Sequence, residues 1–113
     1  MAQQEAAWNR GDISGFMKAA YWQDTALVFI GSRGITRGYD QTLENYTRSY
    51  PDGEAMGTLA FDNIQWLPLG GEHGLLIGKW KLFRAVDTLS GHYTLGWRLQ
   101  KDGRWIIIMD HSS

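Results

Sequence analysis

Two adjacent residues near the end of the chain, Asp110 and His111, have the side chains most suited to moving a proton. A neutral imidazole or a carboxylate can serve as a general base. Neighbours on a strand point to opposite faces, so the two would share one pocket only across a bulge. The string Lys101-Asp102-Gly103-Arg104 predicts a two-residue type I′ hairpin with positive φ at Asp102 and Gly103. That turn sets Thr94 opposite His111 and Leu95 opposite Asp110. His111 then shares a face with His92, Thr94, Gly96 and Arg98, and Asp110 with Tyr93, Leu95 and Trp97. Each residue also has a structural reading, because a buried polar group needs a partner whether or not it reacts. Tyr21, Tyr46 and Tyr50 fall on inward helix stripes, where a hydroxyl orients a ligand or satisfies a carbonyl. The expected binding site is a cavity surrounded by Tyr21, Tyr46, Arg98 and His111, with His111 and Asp110 as the candidates for catalysis.

Other chemistry finds less support. His73, His92 and His111 lack the compact spacing of a metal site, so no metal is expected, and no cofactor motif occurs. Gly31, Gly34 and Gly38 with Arg33 and Arg37 match neither common phosphate-loop pattern and are explained by turns, with Arg37 at a pocket mouth as the functional alternative. Ser112 and Ser113 have no relay to activate them. Without cysteine there is no disulfide, thiolate metal site or thiol nucleophile. Six Trp could stack single-stranded nucleic acid, but 11 basic against 12 acidic residues leave no positive track for a phosphate backbone. No apolar run is long enough to span a membrane, and the start lacks a signal peptide's pattern, so a soluble, cytoplasmic protein is the default expectation. A helix beginning almost at Met1 fits a trimmed N-terminus.

The elements that must position these residues follow from period and punctuation. Gln3 to Arg10 reads as a helix stopped by Gly11, and Asp12 caps a second helix whose buried stripe is Ile13, Phe16, Met17, Ala20 and Tyr21. Thr25–Ile30 and the short Ile35–Arg37 read as strands, and Asp40 opens a third helix ended by Pro51-Asp52-Gly53. Four candidate strands follow, Thr58–Leu67, Gly74–Arg84, Gly91–Lys101 and Arg104–His111. The 113 residues, 43% of them hydrophobic, fit one domain, 1–113, of the α+β class: about six strands of a curved antiparallel sheet packed on three helices. The run Trp105–Met109 is apolar at every position, so both faces of the last strand should be covered, one by helices and one by a second copy of the chain. Ile106 and Ile108, with Leu95, Trp97 and Leu99, are the expected dimer face.

Several strings, in order, resemble the nuclear transport factor 2-like superfamily, and most of all its SnoaL-like branch. They are Ala7-Trp8-Asn9-Arg10-Gly11-Asp12, Tyr21-Trp22-Gln23-Asp24, Thr36-Arg37-Gly38-Tyr39-Asp40 and Asp102-Gly103-Arg104-Trp105 leading to Asp110-His111-Ser112-Ser113. The resemblance implies a cone-like sheet, a pocket between sheet and helices, and frequent dimers through the sheet. Chemistry in this superfamily varies, so the fold places the pocket without choosing a reaction. The tyrosine and two aspartates used by ketosteroid isomerases would fall near Gln4, Phe29 and Leu95 or Gly96, and none matches, which argues against that activity. The resulting expectation is a dimeric protein that binds a small, mostly apolar molecule, with lyase, isomerase or cyclase chemistry as the activity such a pocket would carry. The alternative is a non-catalytic association domain whose cavity is filled by tryptophan.

Overall fold

The computed structural model describes residues Met1–Ser113. Helices α1 (Ala2–Asn9) and α2 (Ile13–Ala20) lead into the hairpin β1 (Val28–Gly31) and β2 (Gly34–Arg37). Helix α3 (Tyr39–Ser49) and the single turn α4 (Gly53–Met56) follow, then four long strands: β3 (Thr58–Pro68), β4 (His73–Phe83), β5 (Thr88–Leu99) and β6 (Trp105–Ser112). None of the helices is long and apolar enough to cross a membrane. The one element without a counterpart in the sequence reading is α4. There Asp52 does more than end α3, since its carboxylate accepts from Ala55 N at 2.8 Å and starts a new turn.

The six strands form one sheet in the order β2-β1-β6-β5-β4-β3. All neighbours are antiparallel except β1 and β6, which run parallel. The sheet is thus not wholly antiparallel as expected, because the chain enters β1 from α2 on the same side from which β6 arrives. Tyr21, at the end of α2, makes a parallel bridge to Ile107, and Trp22 N donates to Ile107 O at 2.9 Å.

The connection between β5 and β6 is longer than the expected type I′ turn. Gln100 N donates to Arg104 O and Gly103 N to Gln100 O, which leaves three residues in the loop, with positive φ at Gly103 alone. Asp102 keeps negative φ and accepts from Arg104 N through Oδ1 at 2.9 Å. This is the three-residue alternative for a hairpin, a turn closed by a left-handed glycine. The extra loop residue shifts the register, and a bulge between Gly96 and Trp97 shifts it back. Trp97 pairs with Ile107, while Leu95 pairs with Asp110 and Thr94 with His111 as the sequence predicts.

The bulge also reverses the alternation of faces within β6. Ile107 faces the helices with Leu95 and Trp97 in one core cluster, together with Trp8, Phe16, Met17 and Leu27. The expected dimer face of Ile106, Ile108, Leu95, Trp97 and Leu99 therefore does not exist as one surface. Leu95 and Trp97 belong to the core, and Ile106 is 1% exposed within a single chain, so no partner is needed to cover it. The face away from the helices instead carries Leu75, Ile77, Thr94 and Met109, all half-buried.

Candidate functional site

Sheet and helices enclose a cavity of about 750 Å³, within the range of roughly 300–1,000 Å³ common for small-ligand sites. Its deep wall is aromatic. The Trp8 ring meets Phe16, Tyr46 and Tyr50 edge-on, with centroids 5.0 to 6.0 Å apart, and Tyr46 meets Phe29 at 5.7 Å. Leu59, Phe61, Trp80 and Tyr93 close the side formed by β3 to β5. Tyr93 can lie flat across its neighbour because residue 78 is glycine: a Cβ there would stand 2.4 Å from the Tyr93 hydroxyl and 2.6 Å from the Asp62 carbonyl. The Tyr93 hydroxyl donates to Asn63 Oδ1 at 2.5 Å, and burial raises its pKa to about 12.

Asp110 is the only acidic side chain lining the cavity, and it is 2% exposed. Its strand lies between β5 and β1, with Leu95 and Phe29 as cross-strand neighbours. The Tyr21 hydroxyl donates to Oδ2 and the Ser112 hydroxyl to Oδ1, each at 2.5 Å. The position of Tyr21 follows from the chain path, since its own bridge to Ile107 fixes its backbone three residues from Asp110 on the same strand. Ser112 is placed by alternation, two residues along the same face. Tyr46, from α3, brings its hydroxyl close enough to that of Tyr21 for each to alter the other's acidity.

Burial dominates the electrostatics. Desolvation raises the Asp110 pKa from an ordinary 3.8 to about 6, although the hydrogen bonds from Ser112 and Tyr21 and the nearby His111 all pull it down. Tyr21 and Tyr46 are pushed well above the ordinary tyrosine value, first by burial and then by the Asp110 charge, so both stay protonated donors at neutral pH. Asp110 therefore titrates close to working pH beside two hydroxyls that do not.

This titration is linked to folding stability. Between pH 4 and 6 the folded chain holds a proton on Asp110 that the unfolded chain has released, so stability is greatest below the unfolded pKa and falls as pH rises through the folded one. A shift of about two units corresponds to roughly 3 kcal/mol. Urea denaturation curves for wild type and Asp110→Asn, compared from pH 4 to 7, should diverge by about that amount, with wild type losing stability relative to the variant. Parallel curves would show that Asp110 titrates normally.

The structure divides the expected site residues between two faces. Tyr21 and Tyr46 line the cavity with Asp110. His111 and Arg98 do not: His111 is exposed, and both lie on the sheet face away from the helices, where Arg98 sits 4.5 Å above the Trp22 ring. His73 and His92 are also exposed, on strand positions facing the same way. Arg37 does not line the cavity, but Arg33 from the same hairpin does. Asp110 keeps its expected partner Leu95, but the helices cover the Asp110 face and not the His111 face. Large apolar residues on the Asp110 face, Tyr93, Leu95 and Trp97, against His92, Arg98 and His111 on the other, were the signal that decided it.

A cone-like sheet wrapped on N-terminal helices, with an aromatic cavity between them, defines a cystatin-like α+β fold, and solved structures share it. A nuclear transport factor 2-like protein of unknown function from Shewanella oneidensis matches with a TM-score of 0.92 at 40% identity, covering 99% of this chain and 91% of that one. The chain belongs to the nuclear transport factor 2-like superfamily. A ketosteroid isomerase-like protein from Erwinia carotovora has the same fold, with a TM-score of 0.73 at 18% identity over 99% of this chain and 88% of that one. So does a putative calcium/calmodulin-dependent protein kinase type II association domain from Thiobacillus denitrificans, at 0.78 and 18% over 99% and 89%. No sequence-family model matches the chain, and no curated protein does.

Proposed function

We propose that the chain binds a small, mostly apolar carbonyl compound in the aromatic cavity and that Asp110 moves a proton on it, the shared step of isomerase, lyase and cyclase chemistry. The observation that carries this reading is a buried carboxyl with a pKa of about 6 in the wall of a largely aromatic cavity, bonded to a tyrosine hydroxyl. A base is most effective when its pKa lies near the working pH. As carboxylate, Asp110 accepts the proton from the carbon beside the carbonyl. The Tyr46 hydroxyl, which stays protonated, donates to the carbonyl oxygen as negative charge gathers there. The proton on Asp110 then returns to the same or a neighbouring carbon. Of the positions where the ketosteroid isomerase residues would fall, Gln4, Phe29 and Leu95 line the cavity and Gly96, the alternative to Leu95, does not; none carries the group that family uses.

The association-domain alternative requires a cavity filled by tryptophan. Of the six, only Trp8 and Trp80 reach this one, and they stand at its walls. A panel of small ketones and lactones tests the reading. At least one member should raise the melting temperature, quench tryptophan fluorescence and exchange its acidic C–H for deuterium faster with protein than without. A panel that neither binds nor exchanges would contradict it.

The homodimer is part of the same proposal, with its face reassigned. Leu75, Ile77, Thr94 and Met109 form the apolar centre of the outer sheet surface, and a second copy would complete their burial. Sedimentation equilibrium should give a dimer for wild type and a monomer for Ile77→Lys, which places an unpaired charge at that centre. A wild-type monomer at every concentration would contradict the dimer.

A further inference from the structure

We infer that the ligand of the cavity is an amphiphilic anion, its apolar body inside and a carboxylate at the mouth against Arg33, Arg48 and Arg84. The inference rests on the pocket reading above and narrows its ligand class. The cavity has two electrically distinct ends. Asp110 is buried in the cavity wall, while Arg33 in the β1–β2 turn, Arg48 in the last turn of α3 and Arg84 just beyond β4 line the same cavity from solvent-accessible positions, which marks its mouth. No lysine lines the cavity, and no acidic side chain other than Asp110 does.

The three arginines differ in how far they are already engaged. Arg33 is exposed and makes no ion pair. Arg48 pairs with Glu44 at 2.9 Å, but both side chains are more than 60% exposed, and such pairs are too weak to hold a guanidinium away from a better partner. Arg84 is held by Asp87 and by the Ala55 carbonyl, which fixes its place at the rim. Its charge still acts inward: Tyr50, a lining residue, has its hydroxyl pKa raised by burial and drawn back by Arg84. Glu44 and Asp87 lie outside the cavity lining, so the cationic side of each pair faces the opening. A carboxylate at this rim gains charge-assisted, geometrically matched hydrogen bonds while staying partly hydrated. The same charges steer an anion toward the mouth and turn a cation away. The buried Asp110 carboxylate repels a second negative group, which fixes the polarity of the bound molecule as acid outward and the uncharged, carbonyl-bearing end inward.

The test uses a matched pair of probes, 4-phenylbutanoate and its methyl ester, titrated by the fluorescence of the cavity tryptophans. Wild type should bind the acid about tenfold more tightly than the ester, and added salt should reduce that preference. Arg33→Gln/Arg48→Gln should lower affinity for the acid to that for the ester and leave the ester unchanged, which doubles as a check that the cavity is intact. Equal binding of acid and ester by wild type would overturn the inference and leave the pocket reading standing, as would a double variant that keeps the preference. Binding of neither probe would overturn the inference, and the pocket reading falls with it only if the ketone and lactone panel also fails to bind.

Discussion

With any ketone whose C–H exchange the protein accelerates, Asp110→Asn should lower the exchange rate by about 10²- to 10⁴-fold, the usual worth of a positioned general base. Asparagine keeps the size of the side chain and one acceptor oxygen, so the cavity and the Tyr21 contact persist while the proton acceptor is lost. Ligand binding, read by tryptophan fluorescence, should change far less than the rate. The wild-type rate should rise with pH through about 6, as Asp110 loses its proton, and then level off. A variant that kept more than a tenth of the exchange rate would remove Asp110 from the chemistry. So would a rate independent of pH between 5 and 8.

Trp8→Ala should cost about 3 to 5 kcal/mol, the range for truncating a large buried aromatic side chain. Trp8 is 3% exposed and stands where α1, α2, α3 and α4 meet. Its ring contacts Phe16, Tyr46 and Tyr50, and its Nε1 donates to Met56 O at 3.0 Å. Truncation leaves a void beside the cavity, removes three edge-on ring contacts and strips the α4 carbonyl of its donor. Against the 5 to 15 kcal/mol of a typical domain, roughly, such a loss is a large share of the whole. Trp8→Phe retains a ring and forfeits the hydrogen bond, and should cost much less. Urea denaturation of both variants measures the difference. An alanine variant within about 1 kcal/mol of wild type would mean that this junction does not hold the helices to the sheet.

The sequence was most legible where one physical signal dominated. The α2 stripe of Phe16, Met17 and Ala20 is buried as its period predicts, and the Asp12 cap accepts from Gly15 N. The four long strands lie within three residues of where turns and alternation put them. Outcomes set by two effects in combination were harder to read. Asp102-Gly103 suits two kinds of hairpin, and the acceptor role of Asp102 toward Arg104 N favours the longer one. The Ile106-Ile107-Ile108 run reads as a strand buried on both faces, and Ile106 and Ile107, on opposite faces across from Arg98 and Trp97, are both buried; the covering comes from within one chain rather than from a second copy. The site depends on the same local detail. Tyr21 and Tyr46 could be placed from helix stripes alone, whereas joining Tyr21 to Asp110 required the parallel bridge to β6, which leaves no mark in the local pattern.

A ¹³C NMR titration of the Asp110 side-chain carboxyl tests directly whether this cavity group is poised near neutral pH. The midpoint should fall at about 6 in wild type. It should rise further in Tyr21→Phe, because that change deletes a hydrogen bond that stabilises the charged form. A midpoint at the ordinary carboxylate value of 3.8, unmoved by Tyr21→Phe, would contradict the account.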